Sequence, residues 1–141
     1  MLKKNDIIPL TIESITNEGN GIGHADGIAV FVPMTAAGDE LRVRIVKVQK
    51  SYCYGIIEEI LTPSPDRIEP DCPCYKRCGG CSLRHITYEA ELRAKTGWVR
   101  DAVQRIGGFS MEPLPILPSP SHERYRNKAQ FPFGRSESGS Y

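Results

Sequence analysis

Four cysteines packed into ten residues, Cys72-Pro73-Cys74-Tyr75-Lys76-Arg77-Cys78-Gly79-Gly80-Cys81, constrain this chain more than any other feature. Thiols at that density, with Pro and Gly between them, leave no room for a regular helix or strand. They point to a loop organised around something the sulfurs bind. The chain opens Met1-Leu2-Lys3-Lys4-Asn5-Asp6, with no apolar stretch of a secretory leader. No apolar run approaches the roughly 18 residues that a membrane helix needs. The expected setting is therefore the cytoplasm, with no membrane partner. In a reducing compartment a cysteine cluster favours a metal site over a disulfide framework.

The spacing is C-x-C-x3-C-x2-C. Thiolates suit zinc or an iron–sulfur cluster. Structural zinc usually takes two C-x2-C knuckles a dozen or more residues apart. Here one such pair, Cys78 and Cys81, follows two cysteines just upstream, closer to the compact runs that hold a cubane. Gly79 and Gly80 let the backbone turn tightly around a bulky core. Zinc and redox-active thiols stay open as alternatives. Two registers compete. Cys72, Cys78 and Cys81 give C-x5-C-x2-C. Cys74, Cys78 and Cys81 give C-x3-C-x2-C, the spacing of radical S-adenosylmethionine enzymes, which needs most of a β/α barrel after the motif. Only 60 residues follow Cys81.

Ahead of the cysteines the pattern is that of strands. Ile8, Leu10 and Ile12 alternate with Pro9, Thr11 and Glu13, the period of a half-buried strand. Asn17 to Gly23 is dense in turn residues, and Asp26-Gly27 is a hairpin signal. Ile28 to Val32 is a β-branched and aromatic run closed by Pro33. Ala37-Gly38-Asp39 turns again. Leu41 to Ile45 alternates cleanly, and Val46-Lys47-Val48 continues one residue out of phase, as a bulge would produce. Tyr52 to Ile60 is the last strand. The expected fold class is mainly β: a small OB-like five-stranded barrel over residues 1–62. Thr62-Pro63-Ser64-Pro65-Asp66 is a linker signal. Residues 63–110 then hold the cysteine loop and one helix, with Thr87 as N-cap, Glu89 and Glu91 in the first turn, and Gly107-Gly108 as the stop. Tyr88, Leu92, Val99, Val103 and Ile106 form an apolar stripe at helical spacing and, with Trp98, are expected in the core. Residues 111–141 are a Pro-rich connector followed by one strand, Arg124 to Phe133.

Net charge is only +1, so nucleic-acid binding would have to come from local arrangement. Arg42, Arg44 and Lys47 share one expected strand face, with Tyr52 and Tyr54 nearby. Such a face can hold phosphates and stack bases, although a solvated strand face has the same composition. Gly19, Gly21 and Gly23 form a G-x-G-x-G, but a strand follows instead of a helix, so a hairpin turn is expected and not a phosphate cradle. Cys53 sits mid-strand and is expected to be half-buried. His24 is expected in a surface turn, and His85 packed beside the cysteines.

The ordered combination resembles a known family. Cys72-x5-Cys78-Gly79-Gly80-Cys81-Ser82-Leu83-Arg84-His85, followed by a helix with Tyr88, Leu92, Lys95 and Val99 and ending Arg105-Ile106-Gly107-Gly108, is similar to the RNA uracil-C5 methyltransferases. Asn20-Gly21-Ile22-Gly23, Val30-Phe31-Val32-Pro33, Gly38-Asp39-Glu40 and Pro63-Ser64-Pro65-Asp66-Arg67 resemble their TRAM domain. Tyr125-Arg126-Asn127-Lys128 looks like the start of their central β domain. The resemblance implies a parent enzyme that methylates C5 of a uridine in structured RNA, with ribosomal RNA expected, using S-adenosylmethionine. In that family a cysteine attacks C6 of the uracil, the methyl group goes to C5, and a base removes the C5 proton. It also implies a [4Fe-4S] cluster on Cys72, Cys78 and Cys81, whose fourth ligand in the family is a cysteine well downstream. The cluster is then expected incomplete or absent here, unless Cys74 substitutes. Arg84 stands where the family often has Gln. The catalytic and S-adenosylmethionine-binding residues are expected outside this chain, which alone would be inactive. An orphan strand at the tail could pair with another copy. Two other readings stay open: a free-standing RNA-binding module with a metal site, and an iron–sulfur electron carrier.

Overall fold

The computed structural model describes residues 2–128, 130 and 134. Six strands form one curled sheet: β1 (Ile7–Thr11), β2 (Ser14–Ile15), β3 (Asn20–Ala25), β4 (Ile28–Pro33), β5 (Glu40–Val48) and β6 (Tyr52–Thr62). Their spatial order is β1-β5-β6-β4-β3-β2. The count exceeds the expected five by the two-residue β2. All pairings are antiparallel except β4 with β6, which run parallel with Phe31 opposite Tyr54.

The alternation seen in the sequence becomes the core. Val30 and Val32 of β4, Leu41, Val43 and Ile45 of β5, and Cys53 of β6 are fully buried, with Leu2, Leu10 and Ile12 closing the cluster. The phase slip in β5 is a bulge: Ile45 pairs Gly55 and Lys47 pairs Tyr54, which leaves Val46 unmatched. Asp26 and Gly27 both take positive φ, 52° and 73°, as the tight turn between β3 and β4 requires.

The glycines have two separate tasks. Gly19, at φ 86°, is a turn residue, as expected. Gly21 and Gly23 lie inside β3, where the sheet curls back on itself. A Cβ on Gly23 would stand 2.3 Å from the Thr11 carbonyl oxygen, and one on Gly21 would stand 2.0 Å from the Thr35 hydroxyl. Only glycine lets β3 lie this close to the chain leaving β1.

The second region begins where a linker was expected. Its elements are the single helical turn α1 (Tyr75–Cys78), the helix α2 (Tyr88–Asp101) and a π-helical turn at Ala102–Ile106. Thr87 caps α2, its hydroxyl accepting from the Ala90 N–H at 3.3 Å, with Glu89 and Glu91 in the first turn. The expected apolar stripe is not the buried face. Val99 and Ile106 are exposed, whereas Ala90 is buried and Trp98 is half-buried against the barrel. Contact is made near Ala90 and by the Trp98 ring, and between this face and the stretch Glu13 to Thr16 lies an open cavity of about 570 Å³. Beyond Ile106 the described residues form no regular structure, yet the chain returns along the helix. The Ser119 N–H donates to the Tyr88 hydroxyl at 2.9 Å, and His122 stacks on Tyr88 at 4.4 Å. The strand expected at Arg124 to Phe133 does not form over residues 124–128, and residues 131–133 lie outside the described residues. Strand-mediated self-association therefore has no strand edge among the described residues of the tail. Among the described residues no helix is long and apolar enough to cross a membrane.

Candidate nucleic-acid interface and the cysteine turn

The parallel pairing of β4 with β6 builds a feature that neither strand shows alone. Residues alternating with the buried Val30, Val32 and Cys53 point outward, and there Phe31, Tyr52 and Tyr54 meet. Their ring centroids are 5.6–5.7 Å apart, with two of the three contacts edge-to-face. All three rings are half-buried, so each braces the others and keeps surface toward solvent. Lys47 is the strand partner of Tyr54, is exposed, and has no ion pair among the described residues. Of the residues expected on this face, Tyr52, Tyr54 and Lys47 are therefore brought together.

Arg42 and Arg44 are engaged elsewhere. The Arg44 guanidinium donates to both carboxylate oxygens of Glu58, at 2.8 and 2.6 Å. That fork raises the arginine's pKa and lowers the glutamate's. Arg42 faces Glu59 at 3.6 Å. Any phosphate here would compete with a carboxylate already in place. Phe31 was missed in the sequence, although it stands out of phase with Val30 and Val32, so an aromatic ring on the outer face was legible there.

The second region is fixed to the barrel by buried polar contacts. Asp39, fully buried, accepts from the Ala36 and Ser64 N–H groups at 2.7 and 2.9 Å, and from Arg67 at 3.1 and 2.5 Å. Burial pushes its carboxyl pKa up, but these donors outweigh burial and hold it below the ordinary value. Arg67 also donates to the Met34 carbonyl. His85, likewise buried, lies 2.8 Å from the Thr35 carbonyl through Nε2 and 2.5 Å from the Tyr75 hydroxyl through Nδ1. A carbonyl can only accept, so Nε2 carries the proton and Nδ1 accepts from Tyr75. Burial lowers the imidazole's pKa and favours this neutral form. The Trp98 indole N–H donates to the Ile15 carbonyl at 2.6 Å. Gly19 completes the contact, since a Cβ there would stand 2.7 Å from that of Ser82.

These contacts position the cysteine turn at the rim of the barrel. Tyr75, between Cys74 and Cys78, is its buried anchor. At its neck Arg84 donates to both oxygens of Asp71, at 2.5 and 2.7 Å, so the residues flanking Cys72 to Cys81 are clipped together. His85 is the packing residue expected, and Cys53, expected half-buried in its strand, is fully buried in β6. His24, expected in a turn, instead lies in β3, with Nδ1 3.0 Å from Glu13.

The thiols do not fit a cubane as they stand. Cys72, Cys74, Cys78 and Cys81 are all free, and the last three are exposed. Among the described residues no three His, Cys, Asp or Glu side chains converge as a metal ion would require. The segment expected to lack regular structure instead forms the helical turn α1 between its Pro and Gly residues, closed by Gly79 at φ 69°, and the sulfurs are not gathered.

A TRAM domain model matches residues 2–57. An uncharacterized RNA methyltransferase of Halalkalibacterium halodurans is 41% identical over 139 residues, covering 98% of this chain and 30% of that protein. One from Synechocystis is 42% identical over 138 residues, covering 97% and 30%. The chain thus spans about 30% of the length of the curated relatives it matches. Among solved structures, a Pyrococcus abyssi tRNA (uracil-54, C5)-methyltransferase in complex with S-adenosyl-L-homocysteine is 29% identical with a TM-score of 0.44. That match covers 75% of this chain and 23% of that one.

Proposed function

Since this chain carries a TRAM domain and is homologous along nearly its whole length to part of the RNA methyltransferases, we propose that it is the RNA-holding portion of such an enzyme. The observation that carries the reading is the outward cluster of Phe31, Tyr52 and Tyr54 beside Lys47. Every base has a π-face, and braced aromatic rings with an adjacent cation hold unstacked nucleotides without reading their sequence. Methylation of uridine C5, in ribosomal RNA and in the cytoplasm, is the finer form of the proposal and rests on the sequence resemblance. S-adenosylmethionine would supply the methyl group. The residues of this chain hold and orient RNA, and none of them is assigned to methyl transfer.

The three structural parts, barrel, cysteine segment with helix, and connector, keep the limits 1–62, 63–110 and 111–141 in this reading. A [4Fe-4S] cluster on Cys72, Cys78 and Cys81, with Cys74 as the alternative ligand, rests on spacing and resemblance. It requires the turn to draw its thiols together. Iron and acid-labile sulfide per chain, measured after anaerobic purification of wild type and Cys74→Ser, test it. Stoichiometric iron and sulfide in both support the first register, loss only in Cys74→Ser makes Cys74 a ligand, and a chain without either counts against the cluster.

The RNA reading is tested by fluorescence anisotropy with a labelled RNA, comparing wild type with Phe31→Ala and Tyr54→Ala. Loss of stacking costs about 1–3 kcal/mol per base, roughly fivefold to more than a hundredfold in affinity. Unchanged binding in both variants would remove the platform from the proposal.

A further inference from the structure

We propose that the aromatic platform continues into the cleft beside the cysteine turn as one track for single-stranded RNA, with Lys76 and Arg77 gripping its phosphates. This rests on the RNA reading above and extends it from the barrel to the second region.

Strand β4 leads from one end of the track to the other. Phe31 and Pro33 lie on the same face, two residues and therefore about 7 Å apart. Pro33 and Met34 then line a cleft of about 200 Å³ between the barrel rim and the cysteine turn, shared with Asn20, Lys76 and Cys81. The cleft is a fixed feature because Gly19 lies directly against Ser82, and Tyr75 is tied through His85 to Thr35. Lys76, next to that anchor, is held at the rim with only its own side chain free to move.

The cations at this rim, like Lys47 beside the rings, differ from six arginines of the barrel and second region. Arg42, Arg44, Arg67, Arg84, Arg93 and Arg100 each meet a carboxylate. Lys76 and Arg77 are exposed and have no ion pair among the described residues. Among the described residues that line the cleft, Lys76 is the one cation and Glu18 the one acid, and Arg77 follows Lys76 on the same helical turn as a second exposed cation. A phosphate at this rim displaces no carboxylate from Lys76 or Arg77, unlike one at Arg42 or Arg44.

Geometry also selects the form of the nucleic acid. Tyr52 meets both other rings edge to face within a pleated surface, so the rings offer faces only to bases that have left a helix. A duplex keeps its bases stacked on each other and would present only backbone to them.

The test uses the full chain and a labelled oligouridine of about twelve nucleotides, with affinity read by anisotropy from low to high salt. Two phosphate contacts contribute a slope of about 1.4 in log affinity against log salt for a single strand. In the double variant Lys76→Ala/Arg77→Ala the slope should flatten by about that amount, and affinity in 0.1 M salt should fall by about tenfold. Phe31→Ala should weaken binding and leave the slope unchanged. If Phe31→Ala weakens binding while the double variant keeps wild-type slope and affinity, the track is overturned and the barrel reading stands. If both variants bind as wild type, both ideas fall. A perfectly paired RNA duplex that competes as well as the oligouridine overturns the single-strand assignment.

Discussion

In the barrel, nine buried apolar residues from the N-terminal strands through Cys53 meet one another inside a curled sheet. The region after Thr62 contributes only Ile86 and Ala90 to a buried apolar cluster, and these need Ile15 and Ala36 of the barrel to form it. Its attachment is polar instead: Arg67 to Asp39, His85 to Thr35, Trp98 to Ile15. The contrast teaches how a segment rich in Cys, Pro and Gly can be held in one place without a core of its own. Hydrophobic burial is tolerant of detail, whereas a buried ion pair or imidazole fixes position because any misfit leaves a desolvated polar atom unpaired. Among the described residues no buried side-chain nitrogen or oxygen lacks a partner.

The comparison breaks most severely if the barrel core is opened. Leu41→Ala should cost about 4 kcal/mol, as a fully buried leucine does, and should unfold both regions together in urea. A second transition that persists for residues 63–106 would show that the segment stands alone. Asp39→Asn should cost about 3 kcal/mol, because Arg67 is left largely buried without its counter-charge. Here the order of events sharpens the contrast: hydrogen exchange should rise around Arg67 to Ala90 before it rises in β4 to β6. Equal loss across the chain would make the ion pair part of the barrel and not a tether.

His85→Phe replaces the imidazole with a somewhat larger apolar ring and removes both hydrogen bonds, so about 1–3 kcal/mol should be lost, with Cys74, Cys78 and Cys81 alkylated faster. Wild-type alkylation rates would contradict an anchoring role. Acid should reproduce this variant in part. The folded imidazole titrates below the ordinary 6.5, so the unfolded chain takes up the proton first and stability falls as pH drops below that value. Asp39 adds a second decline. Its folded carboxyl titrates below 3.8, so its contribution is present above 3.8 and is lost as pH falls through the folded value. Denaturation curves between pH 8 and 3 would show both, and His85→Phe should lack the first. The smallest effect belongs to Arg84→Gln. Its pair with Asp71 is at the surface, so the melting temperature should not move, while Cys72 at the neck of the turn should become more reactive.

Much of the barrel was legible because a strand half-buried in a sheet writes its burial into alternate residues. Leu41, Val43 and Ile45 are buried as their spacing implies, and the slip at Val46 is a bulge. The helix was legible in its ends but not in its orientation. Thr87 caps it, yet the stripe of Val99 and Ile106 is exposed while Ala90 and Trp98 dock. The docked face is set by contacts with barrel residues such as Ile15 and Ala36, which the helix's own hydrophobic pattern does not encode.

The sequence by itself determined the period of the strands, the turn at Asp26-Gly27, the cap at Thr87 and the crowding of thiols into one short segment. Each of these is a local consequence of backbone sterics or side-chain chemistry within a few residues. The tertiary structure alone decided that β4 lies parallel to β6, which assembles Phe31, Tyr52 and Tyr54 into one surface. It also decided that Asp39 and His85 would be tethers, and that Arg42 and Arg44 would be occupied by glutamates. Those outcomes join residues that are 21 apart in the chain for Phe31 and Tyr52, 28 for Asp39 and Arg67, and 50 for Thr35 and His85. Such pairings depend on which strands close the curl, and no local preference encodes that choice.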